Sequence, residues 1–170
     1  YQHYQNQEQC LYRFYKGKDY FQLCETLHTI LFEENSSCLE EKIQSLVCQK
    51  PTAIEVLEAI IKIFPNQKGI PQNTKSACKR LCLFLRWMIR KNSDVDFGIW
   101  NILQEKDLII PLDTHVFRIS KQLSLTNRKQ ADMLSAIQIT EKLKITFPDD
   151  PLLGDYALFG YGVKHQEKTK

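Results

Sequence analysis

The residues most able to do chemistry lie in the segment IPLDTHVFRISKQL, residues 110–123. An apolar approach ends at Pro111, Asp113 follows, and an amphipathic helical pattern then begins. An aspartate in that place caps a helix, because its carboxylate accepts hydrogen bonds from the first free amides. The cap alone explains the residue. A catalytic role for the same carboxylate therefore needs support from elsewhere in the chain.

A second candidate is SACKRLCLFLRWMIRK, residues 76–91, whose apolar spacing predicts a helix with one cationic side. At about 100° per residue, three basic residues fall within roughly 20° of one line, and a fourth extends it. These are Lys79, Arg86 and Arg90, extended by Lys75. No acid occurs in this segment, so the cations lack i, i+4 partners, and Trp87 adjoins Arg86. A solvated charged face is the simpler interpretation, but a phosphate-contacting helix has the same composition.

The composition narrows the function classes. The chain has 170 residues, 43% of them hydrophobic, which suffices for one compact domain. Its formal charge of +3 permits a polyanionic partner without requiring one. None of the six cysteines forms a C-x-x-C pair, so we interpret them as small buried residues of a reducing compartment, not as disulfides, metal ligands or an iron–sulfur site. No apolar run reaches the ~18 residues of a membrane span, and we expect a cytoplasmic protein without membrane, metal or cofactor.

Helices must position these candidates. Apolar residues recur with the helical period along most of the chain, and no convincing strand pattern occurs. Ser37 and Thr52, each followed by glutamate three residues later, form capping boxes at two helix starts. The predicted helices cover residues 19–34, 37–48, 52–64, 76–91, 97–104 and 129–146 and the segment after Asp113, and an apolar segment at 155–163 packs on the core. We predict one all-α domain of about eight helices over residues 1–163, followed by a polar tail at 164–170.

These segments resemble a known group of enzymes. PLDTHVFRISKQLSL, residues 111–125, resembles the segment of helix–hairpin–helix DNA glycosylases, endonuclease III among them, that reads V-D-T-H-V-x-R-hydrophobic-x-x-R-L. KSACKRLCLFLRWMIR, the aspartate segment and DDPLLGDYALFGYGV together resemble more closely an uncharacterised bacterial family of unknown function, similar to a distant branch of that superfamily. The resemblance covers most of residues 76–163 and, more weakly, Tyr12, Arg13 and Phe14 and the helices that follow them. It implies the all-α glycosylase fold without an iron–sulfur cluster, and we expect the chain to lack the additional N-terminal helical region of that family.

The resemblance implies a chemistry for Asp113. A glycosylase turns a nucleotide out of the duplex and cleaves the bond between base and sugar. Positive charge develops at C1′ of the sugar, where an ionised carboxylate such as that of Asp113 stabilises it. Bifunctional members also use a lysine amine, which attacks C1′ and forms a Schiff base.

Lys79 is the candidate nucleophile, because its placement resembles that of the catalytic lysine in the archaeal 8-oxoguanine glycosylases. Lys75 is the alternative, because K-S-A at 75–77 can be aligned with the K-T-A of the usual hairpin. A plain phosphate contact is the simpler role for either lysine.

The remaining candidates are DNA contacts. The set comprises Lys75, Arg80, Arg86, Arg90, His115 and Arg118. His115 is expected to support the helix start or to contact DNA, although a polar core histidine fits the pattern as well. The usual hairpin, L-P-G-x-G-x-K, presents glycine amides to a phosphate and often holds a monovalent cation. Here the loop KGIPQNTKSACKR has one glycine, which argues against that contact and that cation.

Three functions follow from these patterns. The first is a base-excision DNA glycosylase, with or without abasic-site lyase activity, that acts as a monomer near the nucleoid on double-stranded DNA carrying a damaged, for example oxidised, base. The second is a DNA-binding relative without catalysis, for which the altered hairpin argues. The third is a helical protein whose cations bind an acidic partner. A strong loss of DNA affinity with salt separates the first two functions from the third.

Overall fold

The structure, a computed structural model, describes residues 1–33, 38–91 and 93–166, which contain seven α-helices, one short hairpin and short 3-10 and π-helical turns joined by loops. The helices are α1 (Gly17–His28), α2 (Leu39–Gln44), α3 (Ala53–Ile63), α4 (Lys79–Ile89), α5 (Thr114–Gln122), α6 (Met133–Thr146) and α7 (Leu153–Gln166). The strands β1 (Cys10–Tyr12) and β2 (Tyr15–Lys16) pair in antiparallel fashion. The predicted helical class is confirmed. The hairpin was not predicted, because strands of three and two residues are too short to show an alternating pattern.

Helix starts agree with the predicted caps wherever the structure describes the residues. The Thr52 capping box is confirmed: its hydroxyl accepts from the Glu55 amide at 3.3 Å, and its amide donates to the Glu55 carboxylate at 2.7 Å. The capping box predicted at Ser37 lies outside the described residues. At the other end of the chain, α7 continues into the predicted polar tail as far as Gln166, and residues 167–170 lie outside the description.

The segment after α4 differs from prediction. The helix expected at 97–104 is absent, and the chain runs there as an extended segment along the end of α4. The amides of Phe97 and Trp100 donate to the carbonyls of Trp87 and Met88 at 2.7 and 2.8 Å. These bonds satisfy carbonyls that the last turn of a helix leaves free, which explains why the tertiary contact prevails over local helical spacing.

Further differences arise at the ends of helices. α4 begins at Lys79 rather than at residue 76, because Cys78 takes a left-handed backbone conformation with φ 45°. The predicted helix at 19–34 is divided into α1 and a π-helical turn, Thr29–Glu33. The cysteines were predicted to be buried, and this is correct for Cys78 and Cys82 but wrong for Cys10 and Cys48, which are exposed. No helix among the described residues has the length and apolarity needed to cross a bilayer.

Apolar side chains of α3 to α6 and of segment 108–112 form the core that positions Asp113. Its most deeply buried members include Val56, Leu57, Leu85, Ile89, Leu108, Ile110, Val116, Ile119 and Ile139. Inside the core, the amide of Ile110 donates to Thr140 Oγ1 of α6 at 3.0 Å. Each such side chain contributes roughly 1.5–3 kcal/mol by its burial. Because the chain leaves the core directly after the buried Leu112, the start of α5 is fixed at Asp113.

The C-terminal segment packs on the core as predicted, in the form of helix α7. α7 lies against α5. A Cβ added at Gly162 of α7 would stand 3.3 Å from Ile119 Cγ1, so the helices approach closely at this point. Leu152 and Leu158 are buried at the start and in the middle of the segment. This packing brings the first turn of α7 towards the starts of α4 and α5.

Gly98→Ala tests the contact between the extended segment and α4. Gly98 has φ 59°, and an added Cβ would lie 2.7 Å from the carbonyl oxygen of Arg90. Since both the conformation and the clash are unfavourable, we expect the free energy of unfolding to fall by at least about 2 kcal/mol. The measurement is urea denaturation followed by circular dichroism.

Gly160→Ala is the matched control. Nothing lies within 4 Å of a Cβ at Gly160, and alanine favours the helix more than glycine, so stability should be unchanged or slightly higher. Equal losses of stability in the two variants would contradict the account of the segment.

Candidate active site

Lys79 and Asp113, 34 residues apart in the chain, meet in the structure. Lys79 is the first residue of α4 and Asp113 is the N-cap of α5. The ammonium Nζ of Lys79 lies 3.0 Å from Oδ2 of Asp113. The other carboxylate oxygen, Oδ1, accepts a hydrogen bond from the Val116 amide at 2.7 Å. The cap predicted for Asp113 is confirmed, and the cap leaves one oxygen for the lysine.

The environment of this pair keeps the carboxylate ionised and the lysine accessible. The side chain of Asp113 is 17% exposed and that of Lys79 is 48% exposed. Burial alone would raise the pKa of Asp113, but the Val116 amide, the Lys79 ammonium and the His115 amide together hold the pKa below its usual value. The result is a fixed negative charge beside a reachable amine, a combination that suits catalysis at a centre where positive charge develops.

Arg86 and Arg90 do not lie on an exposed cationic face. They are only 8% and 3% exposed, and each meets carboxylates from outside the helix. Arg86 Nη1 donates to Asp155 Oδ2 at 3.1 Å, and Arg90 contacts both Asp96 and Asp150 at 2.7 Å. The prediction of an exposed cationic face is therefore wrong for these two arginines: they have no acid within residues 76–91, but acids outside that segment pair with them. A buried guanidinium paired in this way is not available for phosphate contact.

The buried ion pairs fasten two segments to α4. Arg86 Nε also lies 3.4 Å from an oxygen of Asp96, so this aspartate joins both arginines from the extended segment. Asp150 lies just before α7, and Asp155 lies in its first turn. The ring of Tyr156 lies over both guanidinium groups, 4.9 Å from the central carbon of Arg86 and 5.6 Å from that of Arg90. The arginines therefore hold α7 and the extended segment to α4.

Asp155 is a further titratable group close to the pair. Its carboxyl is buried, and this burial raises its pKa to about 6 against the opposing charge of Arg86. The negative charge of Asp113 raises the pKa further, and the charge of Lys79 opposes this effect. Asp155 lies within the DDPLLGDYALFGYGV motif, but no role was predicted for it from the sequence. A carboxylate within an otherwise apolar segment was the signal that could have identified it.

A family model matches residues 1–164. The chain belongs to the DUF2400 family. The family is described as "Protein of unknown function", which agrees with the resemblance to a family of unknown function noted from the motifs. Neither a curated protein nor a solved structure matches the chain. Membership in DUF2400 thus assigns no reaction to the chain.

Three other candidate residues of this DUF2400 chain are exposed near the starts of α4 and α5. Lys75 is exposed in the loop before α4, and its carbonyl accepts from the Met133 amide at 3.3 Å. Arg80 is exposed next to Lys79, with Nη1 3.4 Å from the carbonyl of Gly69. His115 is exposed in the first turn of α5, so the alternative of a polar core histidine is wrong.

An open groove lies beside Lys79. It has a volume of about 490 Å³ and is lined by residues 69–71 and 76–80. Its walls are the loop between α3 and α4 and the first residues of α4, where Lys79 and Arg80 contribute positive charge. Arg118 is exposed farther along α5. Among the candidate cations, Lys75, Lys79, Arg80 and Arg118 are accessible to solvent, whereas Arg86 and Arg90 are structural.

Two charge-removing substitutions on α4 separate the structural from the accessible cations. Arg90→Gln leaves Asp96 and Asp150 buried without their common partner, so we expect it to lower the free energy of unfolding by about 3–5 kcal/mol. Lys79→Gln removes a half-exposed cation and should cost less than about 1 kcal/mol. Urea denaturation measures both values. Similar values for the two variants would show that the buried ion pairs do not hold the segments together.

Proposed function

We propose that this DUF2400 chain is a DNA glycosylase with abasic-site lyase activity, in which Lys79 is the nucleophile and Asp113 the electrostatic stabiliser. The observation that carries the proposal is the 3.0 Å contact between the accessible Lys79 ammonium and the shielded, capped Asp113 carboxylate. A role limited to capping would not require a lysine at the second oxygen. The resemblance of the DTHVFR segment to the glycosylases supports the same choice of residues.

The reaction uses both members of the pair. Lys79 loses one proton to solvent, and its neutral amine approaches C1′ of a nucleotide turned out of the duplex. As the bond from C1′ to the base breaks, its electron pair leaves with the base and positive charge develops on the sugar, which the Asp113 carboxylate stabilises. The amine forms the new bond to C1′. The bonded nitrogen, which now carries a positive charge, gives one of its two protons to the ring oxygen as the bond between C1′ and that oxygen breaks, which leaves a protonated Schiff base between Lys79 and the sugar.

The neighbouring cations support binding of a nucleic acid backbone. Lys75, Arg80 and Arg118 are exposed, and Arg80 lines the groove next to the pair. Such residues neutralise phosphates without reading sequence. The damaged base, proposed to be an oxidised one, would be turned out towards the Lys79–Asp113 pair while these residues hold the strand.

A passive DNA-binding role is the second candidate. Gly69, the one glycine of the loop between α3 and α4, has its carbonyl directed at Arg80 at 3.4 Å. In the glycosylase hairpin, by contrast, glycine amides face a phosphate. This difference favours a protein that retains the groove but binds DNA in another way, and turnover separates the two functions.

Borohydride trapping on duplex DNA with a single abasic site tests the enzyme. The wild type should give a covalent protein–DNA adduct, because borohydride reduces the Schiff base to a stable amine. Lys79→Gln should give none, whereas Lys75→Gln at saturating protein should still give it. An adduct that persists in Lys79→Gln and disappears in Lys75→Gln would contradict the choice of lysine.

Asp113→Asn completes this experiment. Asparagine also caps helices, so the fold should be retained, as circular dichroism can verify. Adduct formation should slow by about 10²-fold, because the developing positive charge loses its counter-charge. An unchanged rate would remove Asp113 from the chemistry.

Salt dependence tests the nature of the partner. The logarithm of the DNA affinity should fall linearly with the logarithm of the salt concentration, and Arg118→Gln should reduce that slope by about 0.9. Lys62→Gln, an exposed lysine on α3, is the control with an unchanged slope. Fluorescence anisotropy on a labelled duplex measures the slopes. Affinity that is independent of salt would favour a protein partner instead.

A further inference from the structure

We propose that the cavity between the hairpin, α1, α3 and α4 receives the turned-out base, and that Gln67 selects bases that keep a ring N–H donor. This inference rests on the proposed glycosylase function and names its substrate class: oxidised or deaminated bases, as opposed to bases methylated at that nitrogen. The cavity has a volume of about 470 Å³, which lies within the range of roughly 300–1,000 Å³ that is usual for small-molecule sites.

The walls of this cavity suit a planar ring. Tyr15, Tyr20 and Phe84 supply aromatic surface, and aliphatic side chains complete much of the lining. Two of these rings are held by neighbours outside the cavity: Tyr15 stacks on Phe14 with 4.6 Å between ring centroids, and Phe84 meets Trp100 edge-on at 5.2 Å. Aromatic side chains stack on nucleobases, and every base has a face for this contact. The walls therefore fit a base better than an acyl chain or a sugar.

Gln67 gives the cavity a buried hydrogen-bond acceptor. The residue lines the cavity and is only 6% exposed. Its Nε2 donates to the carbonyl of Asp19 at 2.9 Å, so the other atom of the amide, Oε1, is left for another donor. Oε1 is buried and has no hydrogen-bond partner among the described residues. A ligand that brings an N–H to this atom gains a hydrogen bond that an apolar ligand cannot make.

The cavity adjoins the groove beside Lys79. Gly69, Ile70 and Arg80 line both spaces, and Arg80 directly follows Lys79 in α4. A nucleotide whose sugar lies at the Lys79 amine can therefore place its base over this shared rim and into the cavity. Glycine is required at the rim, because a Cβ added at Gly69 would clash with the hydroxyl of Tyr15.

The acceptor determines which bases fit. In DNA, hypoxanthine keeps its N1–H, uracil its N3–H, and 8-oxoguanine both N1–H and N7–H. Methylation of such a nitrogen puts an apolar group where Oε1 of Gln67 needs a donor. A site built to hydrogen-bond its ligand rejects an analogue without the matching group, because the buried polar atom is then left unpaired.

Binding of small bases to the wild-type protein tests the cavity without any reaction. The probes are 9-methylhypoxanthine and 1-methyluracil, in which a methyl group takes the place of the sugar, and their counterparts without an N–H, 1,9-dimethylhypoxanthine and 1,3-dimethyluracil. We expect the probes with the N–H to bind about tenfold more tightly than their counterparts in NMR titrations. Gln67→Met keeps the length of the side chain and removes Oε1, so it should abolish this difference.

Gln22→Met is the matched control. Gln22 lies on α1 outside the lining of the cavity, and its Nε2 also donates to a backbone carbonyl, that of Pro65 at 3.3 Å. This variant should keep the preference for probes with an N–H. Leu23→Phe is a second variant, which narrows the cavity and leaves Gln67 in place, and it should weaken the binding of all four probes together.

Failure of the cavity and failure of the enzyme are distinguishable. Equal affinities within each pair of probes, no binding of any probe, or a preference that persists in Gln67→Met would overturn the role of the cavity, even in a protein that traps abasic-site DNA. Selective binding by a protein that traps no abasic-site DNA would overturn the proposed glycosylase and leave the cavity as a base-binding site.

Discussion

The contact between Lys79 and Asp113 exists because two helices begin at one place on the surface. The buried segment 108–112 is followed directly by Asp113, which is the N-cap of α5. The left-handed Cys78 likewise delays α4 until Lys79. Helix starts carry free amides and partial positive charge, and one amide of α5 satisfies half of the Asp113 carboxylate. The other half is left for the lysine, and the rest of the proposed chemistry depends on that division.

The buried arginines connect α7 to this arrangement of α4 and α5. Two guanidinium groups and three carboxylates, those of Asp96, Asp150 and Asp155, lie between α4, the extended segment and α7. Their network places the carboxyl of Asp155 near the pair, and burial there raises its pKa to about 6. Buried ion pairs are weak evidence for stability as such, since desolvation offsets much of the attraction. Their clearest consequence here is position, because they join α4 to the extended segment and to the residues at and just before the start of α7.

Predictions from the sequence were correct where interactions between residues close together in the chain determine the structure. The caps at Thr52 and Asp113 were predicted from residue type and spacing, because a capping side chain contacts amides within three residues. The helical class followed from apolar periodicity in the same way. The pairing of Lys79 with Asp113 was expected from the resemblance of their motifs, and no local pattern could have supplied it.

The wrong predictions concern features that depend on tertiary contacts. Arg86 and Arg90 were taken for exposed cations because no acid lies within residues 76–91, yet their partners lie 6 to 69 residues away and meet them only in the fold. The absent helix at 97–104 is a similar case, since the carbonyls at the end of α4 bind that segment in extended form. The pairing of Asp155 with Arg86 was not predicted, because it depends on the burial of Asp155, which helical spacing alone did not reveal.

The central claim is that the amine of Lys79 reaches a sugar carbon of DNA beside the Asp113 carboxylate. Peptide mass spectrometry of the wild-type protein, reduced with borohydride on abasic-site DNA and then digested, tests this most directly. The account predicts a sugar remnant on the peptide that contains Lys79 and on that lysine. A remnant on another residue, or none under conditions in which the DNA is bound, would contradict it.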